Sequence, residues 1–270
     1  MSGVNPLFVF SITQLMAIFC DDLGNRRKIL GTGFFLRSPA DIPIFVTNKH
    51  NLDPALKLGN KYILSDVQLL LRRRDGTQFT SDTQFISVDL STSHIIHSAH
   101  ADVSAIINPT FINQPSDYQF YTIKLKGSLA DQNFFSTKVF LMDLVSFLGF
   151  PGTSSSRWWD LTWNVPVARL ASLASWPHIP FSNPGISTSD VTLVSGLSFS
   201  GSSGSLVLLH EKGIPPGVIV DPMYAPPTII GIMSGHWWES VADEPEMFRH
   251  AGLSYYTRST AIIDLLAGIQ

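Results

Sequence analysis

The sequence predicts an all-β chain closed by one carboxy-terminal helix, and three observations carry that prediction. Short apolar segments, at residues 67–71, 86–90, 121–125 and 139–144, lie between clusters of turn residues. They do not alternate with helical patterns, so a sandwich or barrel fits and a βαβ arrangement does not. Only the tail changes period. There Ser259-Thr260 precedes Ala261-Ile262-Ile263-Asp264-Leu265-Leu266, with Gly268 beyond, which reads as a capped helix and its stop.

From the amino terminus, residues 14–20 read as the first strand, turning at 21–25. Residues 6–20 are mostly apolar, but no Lys or Arg precedes them and Phe19 stands before Cys20, so neither a signal peptide nor a lipoprotein-type cleavage site is expected. Ser11, Thr13 and Gln14 make the run too polar, and it is too short, to span a bilayer. Gly31-Thr32-Gly33-Phe34-Phe35-Leu36 and Ile44-Phe45-Val46-Thr47 form a hairpin around Ser38-Pro39-Ala40-Asp41, with His50 at its exit. Arg72-Arg73-Arg74 runs into Asp75-Gly76 and reads as a solvated hairpin tip. The alternating stretch at 103–107 is a strand that begins just after Asp102. Residues 166–175 read as a barrel strand. The rest of 157–190, with Trp158, Trp159, Trp163 and Trp176, reads as a Pro-rich loop beside a cleft. Residues 214–227 read as a proline-stiffened hairpin between two strands.

The 270 residues suffice for two modest lobes or one larger domain. With 44% apolar and only 14% charged residues the chain can pack a core and is not a disordered sequence. A net charge of −3 and a single basic run give no electrostatic footprint for nucleic acid. Cys20 is the only cysteine, so no intrachain disulfide can form, and a reducing, cytoplasmic setting is expected ahead of periplasmic export or secretion. His94, His97 and His100 recur at a spacing of three, but no thiolate or carboxylate set completes a metal site. They read as a polar loop, and neither metal nor other cofactor is expected.

The most telling stretch is Phe199-Ser200-Gly201-Ser202-Ser203-Gly204-Ser205-Leu206-Val207, which sets Ser203 between two glycines just ahead of an apolar strand. The same letters would serve an ordinary turn. A serine hydroxyl is a poor nucleophile and needs a base beside it and donors for an oxyanion. His50, at a strand end, is the candidate base. Asp102 is the candidate carboxylate that would orient it.

The order His50, Asp102, Ser203 resembles that of the chymotrypsin-like (trypsin-fold) serine peptidases. Three further motifs agree in style with bacterial HtrA-like and glutamyl-endopeptidase-like protease domains: Gly31-Thr32-Gly33-Phe34 before the histidine, Phe147-Leu148-Gly149-Phe150-Pro151-Gly152 between aspartate and serine, and Ile230-Gly231-Ile232-Met233-Ser234-Gly235 after the serine. The resemblance covers residues 14–266 and includes no PDZ module. It implies two six-stranded antiparallel Greek-key barrels, an amino-terminal lobe at 1–115 and a carboxy-terminal lobe at 116–270 with the terminal helix. It further implies a serine endopeptidase acting through an acyl-enzyme, with an oxyanion hole from Gly201 and Ser203. The substrate pocket would be lined by Leu197, Ser198, Ser234, Gly235 and His236, with Ser234 bonded to Asp102. Leu197 falls where a trypsin carries its pocket aspartate, so Arg or Lys is not expected at P1, the residue before the cleaved bond. Small or apolar P1 residues are expected first, and a histidine at 236 leaves acidic ones open. Ser202 replaces the aspartate that pairs with a new amino terminus in digestive zymogens, and Leu206 replaces the usual proline. Peptide or protein substrates are the expected partners, with a restraining regulatory protein also conceivable. The alternative is a catalytically silent binding or sensor module on the same fold. An α/β-hydrolase esterase would need G-x-S-x-G between strand and helix, whereas position 205 is serine and a strand follows.

Overall fold

The structure is a computed structural model that describes residues 6–75, 78–153, 155–183, 189–216, 221–241 and 244–269. Helix α1 (Pro6–Ser11) leads into β1 (Ile12–Cys20), β2 (Arg26–Arg37) and β3 (Pro43–Thr47). The one-turn α2 (Lys49–Leu52) is followed by β4 (Ile63–Asp75), β5 (Gln78–Ser87), β6 (His94–His97), β7 (Ser104–Ile107) and the two-residue strands β8 (Tyr118–Gln119) and β9 (Ile123–Lys124). They form one nine-stranded sheet along the path β5-β4-β1-β2-β3-β7-β6, with β8 on β4 and β9 on β2. Next come α3 (Gln132–Lys138), β10 (Leu144–Gly149), β11 (Val167–Leu173), β12 (Val191–Ser195), β13 (Leu206–Leu209), β14 (Thr228–Val241), β15 (Glu244–Arg258) and α4 (Ser259–Leu266). The second set of strands closes into a six-stranded barrel in the order β10-β11-β12-β15-β14-β13.

Alternation explains the strands. Along β4, Val67, Leu69 and Leu71 are buried while the residues between them are partly exposed, the period of two that a one-sided sheet requires. Buried side chains of both halves meet in one cluster. Phe34, Leu36 and Val46 from the first sheet pack with Leu148, Phe150, Leu206 and Ile232 from the barrel. The cleft walls therefore rest on a common apolar floor.

Several expectations need correction. The second half is the expected six-stranded barrel, but the first is a nine-stranded sheet whose path does not close among the described residues. Residues 118–119 and 123–124 pair with that first sheet. Residues 139–143 are not strand. Asp131 instead caps a helix by accepting the Phe134 N–H at 2.7 Å, a bond worth about 1 kcal/mol, and the strand starts only at Leu144. Ser259 is not a cap either: Arg258 holds that place, and the Ser259 hydroxyl donates to the Ala130 carbonyl at 2.6 Å. His94 and His97 sit at the ends of β6 rather than in a loop. The aromatic segment is mixed, with Trp159 buried edge-on against Phe150 and Trp158, Trp163 and Trp176 exposed. Gly76 and part of the 214–227 hairpin lie outside the described residues.

Candidate active site

Strand β3 ends at Thr47 and the chain turns into α2, which sets His50 beside the loop carrying Asp102. The carboxylate holds the histidine twice. Asp102 Oδ2 lies 2.7 Å from His50 Nδ1, and Oδ1 accepts the His50 backbone N–H at 3.0 Å. Both side chains are only 11% exposed, so neither is free to swing into water. Asn48 completes the frame by donating to the Asp102 carbonyl at 2.8 Å and to Ser234 Oγ at 3.0 Å. Ser234 was expected to bond Asp102 itself. Its hydroxyl is engaged with Thr257 at 2.7 Å instead, and Asn48 bridges the two.

Ser203 lines the same cavity of about 370 Å³ as His50, Asp102 and Tyr255. His50 Nε2 is buried and makes no hydrogen bond among the described residues, so the imidazole and the Ser203 hydroxyl share a cavity without being bonded. The turn carrying Ser203 is held from both sides, by its own barrel through the Gly204 N–H to Met233 carbonyl bond at 2.9 Å and by the first sheet across the cleft. The Thr32 N–H donates to the Ser203 carbonyl at 2.8 Å and the Thr32 hydroxyl to the Gly201 carbonyl at 2.8 Å. Gly201 and Gly204 adopt φ of +81° and +93°, which side chains disfavour. A Cβ at Gly204 would overlap the Thr32 carbonyl oxygen. The backbone N–H groups of Gly201 and Ser203 find no acceptor among the described residues. Ser205 fits because Gly149 opposite has no Cβ to meet its hydroxyl.

On the barrel side, Ser198 is buried and donates its N–H to Ser254 Oγ at 3.1 Å and to His250 Nε2 at 3.3 Å. Its hydroxyl reaches the Gly235 carbonyl at 3.3 Å and His236 Nδ1 at 3.2 Å. His236 and His250 stack at 4.7 Å, with rings 19° from parallel. Burial, and then the facing His250, push His236 down to about 4. Leu197 is half-exposed, and its carbonyl accepts from Arg169 Nη1 at 3.2 Å. Past Met233, β14 parts from β13, so residues 234–236 keep β15 on one edge and leave the other open to a further strand.

Sequence reasoning missed Thr32, Asn48, Arg169 and His250. Arg169 donates to Ser202 Oγ at 2.6 Å and lies over the Phe147 and Phe199 rings, and burial lowers its guanidinium to about 10. It thus takes hold of the residue that stands in the zymogen-aspartate position. Thr32 lay inside a recognised motif, and Asn48 two residues before His50. No local pattern marks Arg169 or His250, because pairing across the barrel is what brings them in. Among the described residues no cluster of His, Cys, Asp and Glu could hold a metal.

With this geometry the chain is a chymotrypsin-like fold with a serine, a histidine and an aspartate at one cleft. No protein-family model and no curated protein matches it in sequence. Among solved structures it is similar to the protease domain of MamO from Magnetospirillum magneticum in its apo form, at TM-score 0.53 and 8% identity over 98% of each chain. It also aligns with Deg5, at TM-score 0.47 and 14% identity over 85% of this chain and 82% of that one.

Proposed function

We propose that the chain is a serine endopeptidase. The observation that carries the reading is the doubly held His50–Asp102 pair over the cavity that Ser203 lines. With Nδ1–H donated to Asp102, Nε2 is left as the acceptor of the ring. Ser203 Oγ attacks the scissile carbonyl as His50 Nε2 takes its proton. The imidazolium, stabilised by Asp102, then returns that proton to the departing amine, leaving an acyl-serine that water hydrolyses by the same route. The N–H groups of Gly201 and Ser203 receive the oxyanion, worth on the order of 3 kcal/mol per donor. Such hydrogen bonds are often long before substrate arrives, which accommodates the unbonded His50 Nε2. Residues 234–236 would take the substrate as an added strand. With Leu197 in place of an acid and the Arg169 guanidinium on its carbonyl, a basic P1 side chain would meet like charge.

A fluorophosphonate probe tests this directly. Wild-type protein labels at Ser203, Ser203→Ala does not, and both keep the same circular dichroism spectrum. A silent binding module is the second reading, favoured by the unbonded His50 Nε2. It predicts no labelling in either protein.

A further inference from the structure

A second cavity, of about 490 Å³, begins at Ser200 and Gly201 and shares no lining residue with the one around His50. Its floor follows from strand register. Gln14 pairs with Thr32, Met16 with Leu30 and Ile18 with Lys28, and alternate residues share a face, so Thr32, Leu30 and Lys28 form one row. That row starts where Thr32 grips the Ser203 turn and runs away from it. Four residues of strand span about 13 Å, the reach of roughly four extended substrate residues. Met16, Leu30 and Phe85 make the lining apolar, and Lys28 and Arg157 add two cations. No acidic residue lines the groove, and neither cation forms an ion pair among the described residues.

We propose that this groove takes the leaving-group side of the substrate, with an apolar side chain near the cleaved bond and a carboxylate beyond it held by Lys28 and Arg157. The inference rests on the endopeptidase reading for its direction. A scissile carbonyl on Ser203 with its P1 side chain toward Ser198 and His236 must send its amine-side chain the other way, past Gly201. It goes beyond that reading in assigning charge selectivity, since the pocket around Ser198 gives no information on residues after the cut. The carboxylate can be an Asp or Glu side chain or the end of a short chain.

The test uses Ser203→Ala, which cannot turn substrate over, and labelled decapeptides with a constant acyl-side half. The leaving-group half carries Leu followed two residues later by Glu, Gln or Lys, with each peptide made as free acid and as amide. In fluorescence anisotropy the Glu peptide binds about tenfold tighter than the Lys peptide, as two partly exposed charge pairs allow. Adding Lys28→Glu and Arg157→Glu, both at exposed positions, reverses the order. A Glu-over-Lys preference kept in the amides assigns the carboxylate to the side chain, and free acids that all weaken on amidation, whatever the side chain, assign it to the chain end. Binding that depends on neither the side-chain charge nor amidation, no binding of any peptide, or an order unchanged by charge reversal overturns the inference. If the preference holds while wild-type protein cleaves none of these peptides and resists fluorophosphonate, the endopeptidase reading fails and the groove stands.

Discussion

The two halves of the molecule equip the cleft differently. The first half supplies His50 and Asp102 as a finished pair, charge matched to imidazole, with Asn48 bracing it from behind. The second half supplies the Ser203 turn and the Ser198–His236 pocket, where no carboxylate hydrogen-bonds among the described residues. There Arg169 is met by a hydroxyl and a carbonyl, and His236 is met by another imidazole. The seam between the halves joins the shared apolar floor to specific polar contacts, among them the two bonds from Thr32 of β2 to the Ser203 turn. The geometry of the candidate site is therefore a property of the junction, and each half can be perturbed separately.

The largest effect should come from the first half. In Asp102→Asn the new Oδ1 can still accept the His50 backbone N–H, so the loop keeps its place. The amide NH₂ then faces Nδ1 and forces that nitrogen to accept, which moves the ring proton to Nε2 and removes the base. The expected result is a fall on the order of 10⁴ in kcat with little change in KM. A variant within threefold of wild type would mean that the pair is structural and the comparison false.

The seam comes next. Gly204→Ala puts a methyl group on the Thr32 carbonyl at a backbone conformation alanine avoids. Strain and overpacking together should cost about 3 kcal/mol of stability. Fluorophosphonate labelling should slow as well, because relief requires β2 and the Ser203 turn to part. Chemical denaturation and labelling rate, measured on the same sample, check both. A destabilised protein that labels at the wild-type rate would show that the turn keeps its shape without Thr32.

How much of this was legible follows the same division. The hairpin leading to His50, the loop position of Asp102 and the glycine frame of Ser203 depend on neighbours in sequence, and reading along the chain finds them. Strand periodicity likewise marked β1, β4 and β11 within a few residues. What stayed hidden depends on pairing across the fold. His250 reaches Ser198 because β15 pairs with β12, and Arg169 reaches Ser202 because β11 and β13 both flank β10. Helix α3 is a different miss. Asp131 as cap, Phe134 and Phe135 on one side and Lys138 in the last turn were local signals, overridden by the surrounding strand rhythm.

The smallest effect, on the second half, sharpens the contrast in charge. His236 is held near pH 4 by burial and by His250, whose own value burial also lowers. Ser198, Phe199, Trp238, Ser254 and the Gly252 N–H contact the two rings, and among the described residues no carboxylate hydrogen-bonds either one. A depressed histidine pKa means the unfolded chain takes up a proton that the folded chain refuses. Stability is then full above the unfolded value of about 6.5 and declines as pH falls toward 4. Below that the folded ring is charged too, and this contribution levels off. His236→Gln keeps a polar group near Ser198 but cannot titrate, so its Tm should fall less steeply between pH 6.5 and 4. Parallel Tm–pH curves for the two proteins would place an unseen acid beside the stack and make the second half as charge-matched as the first.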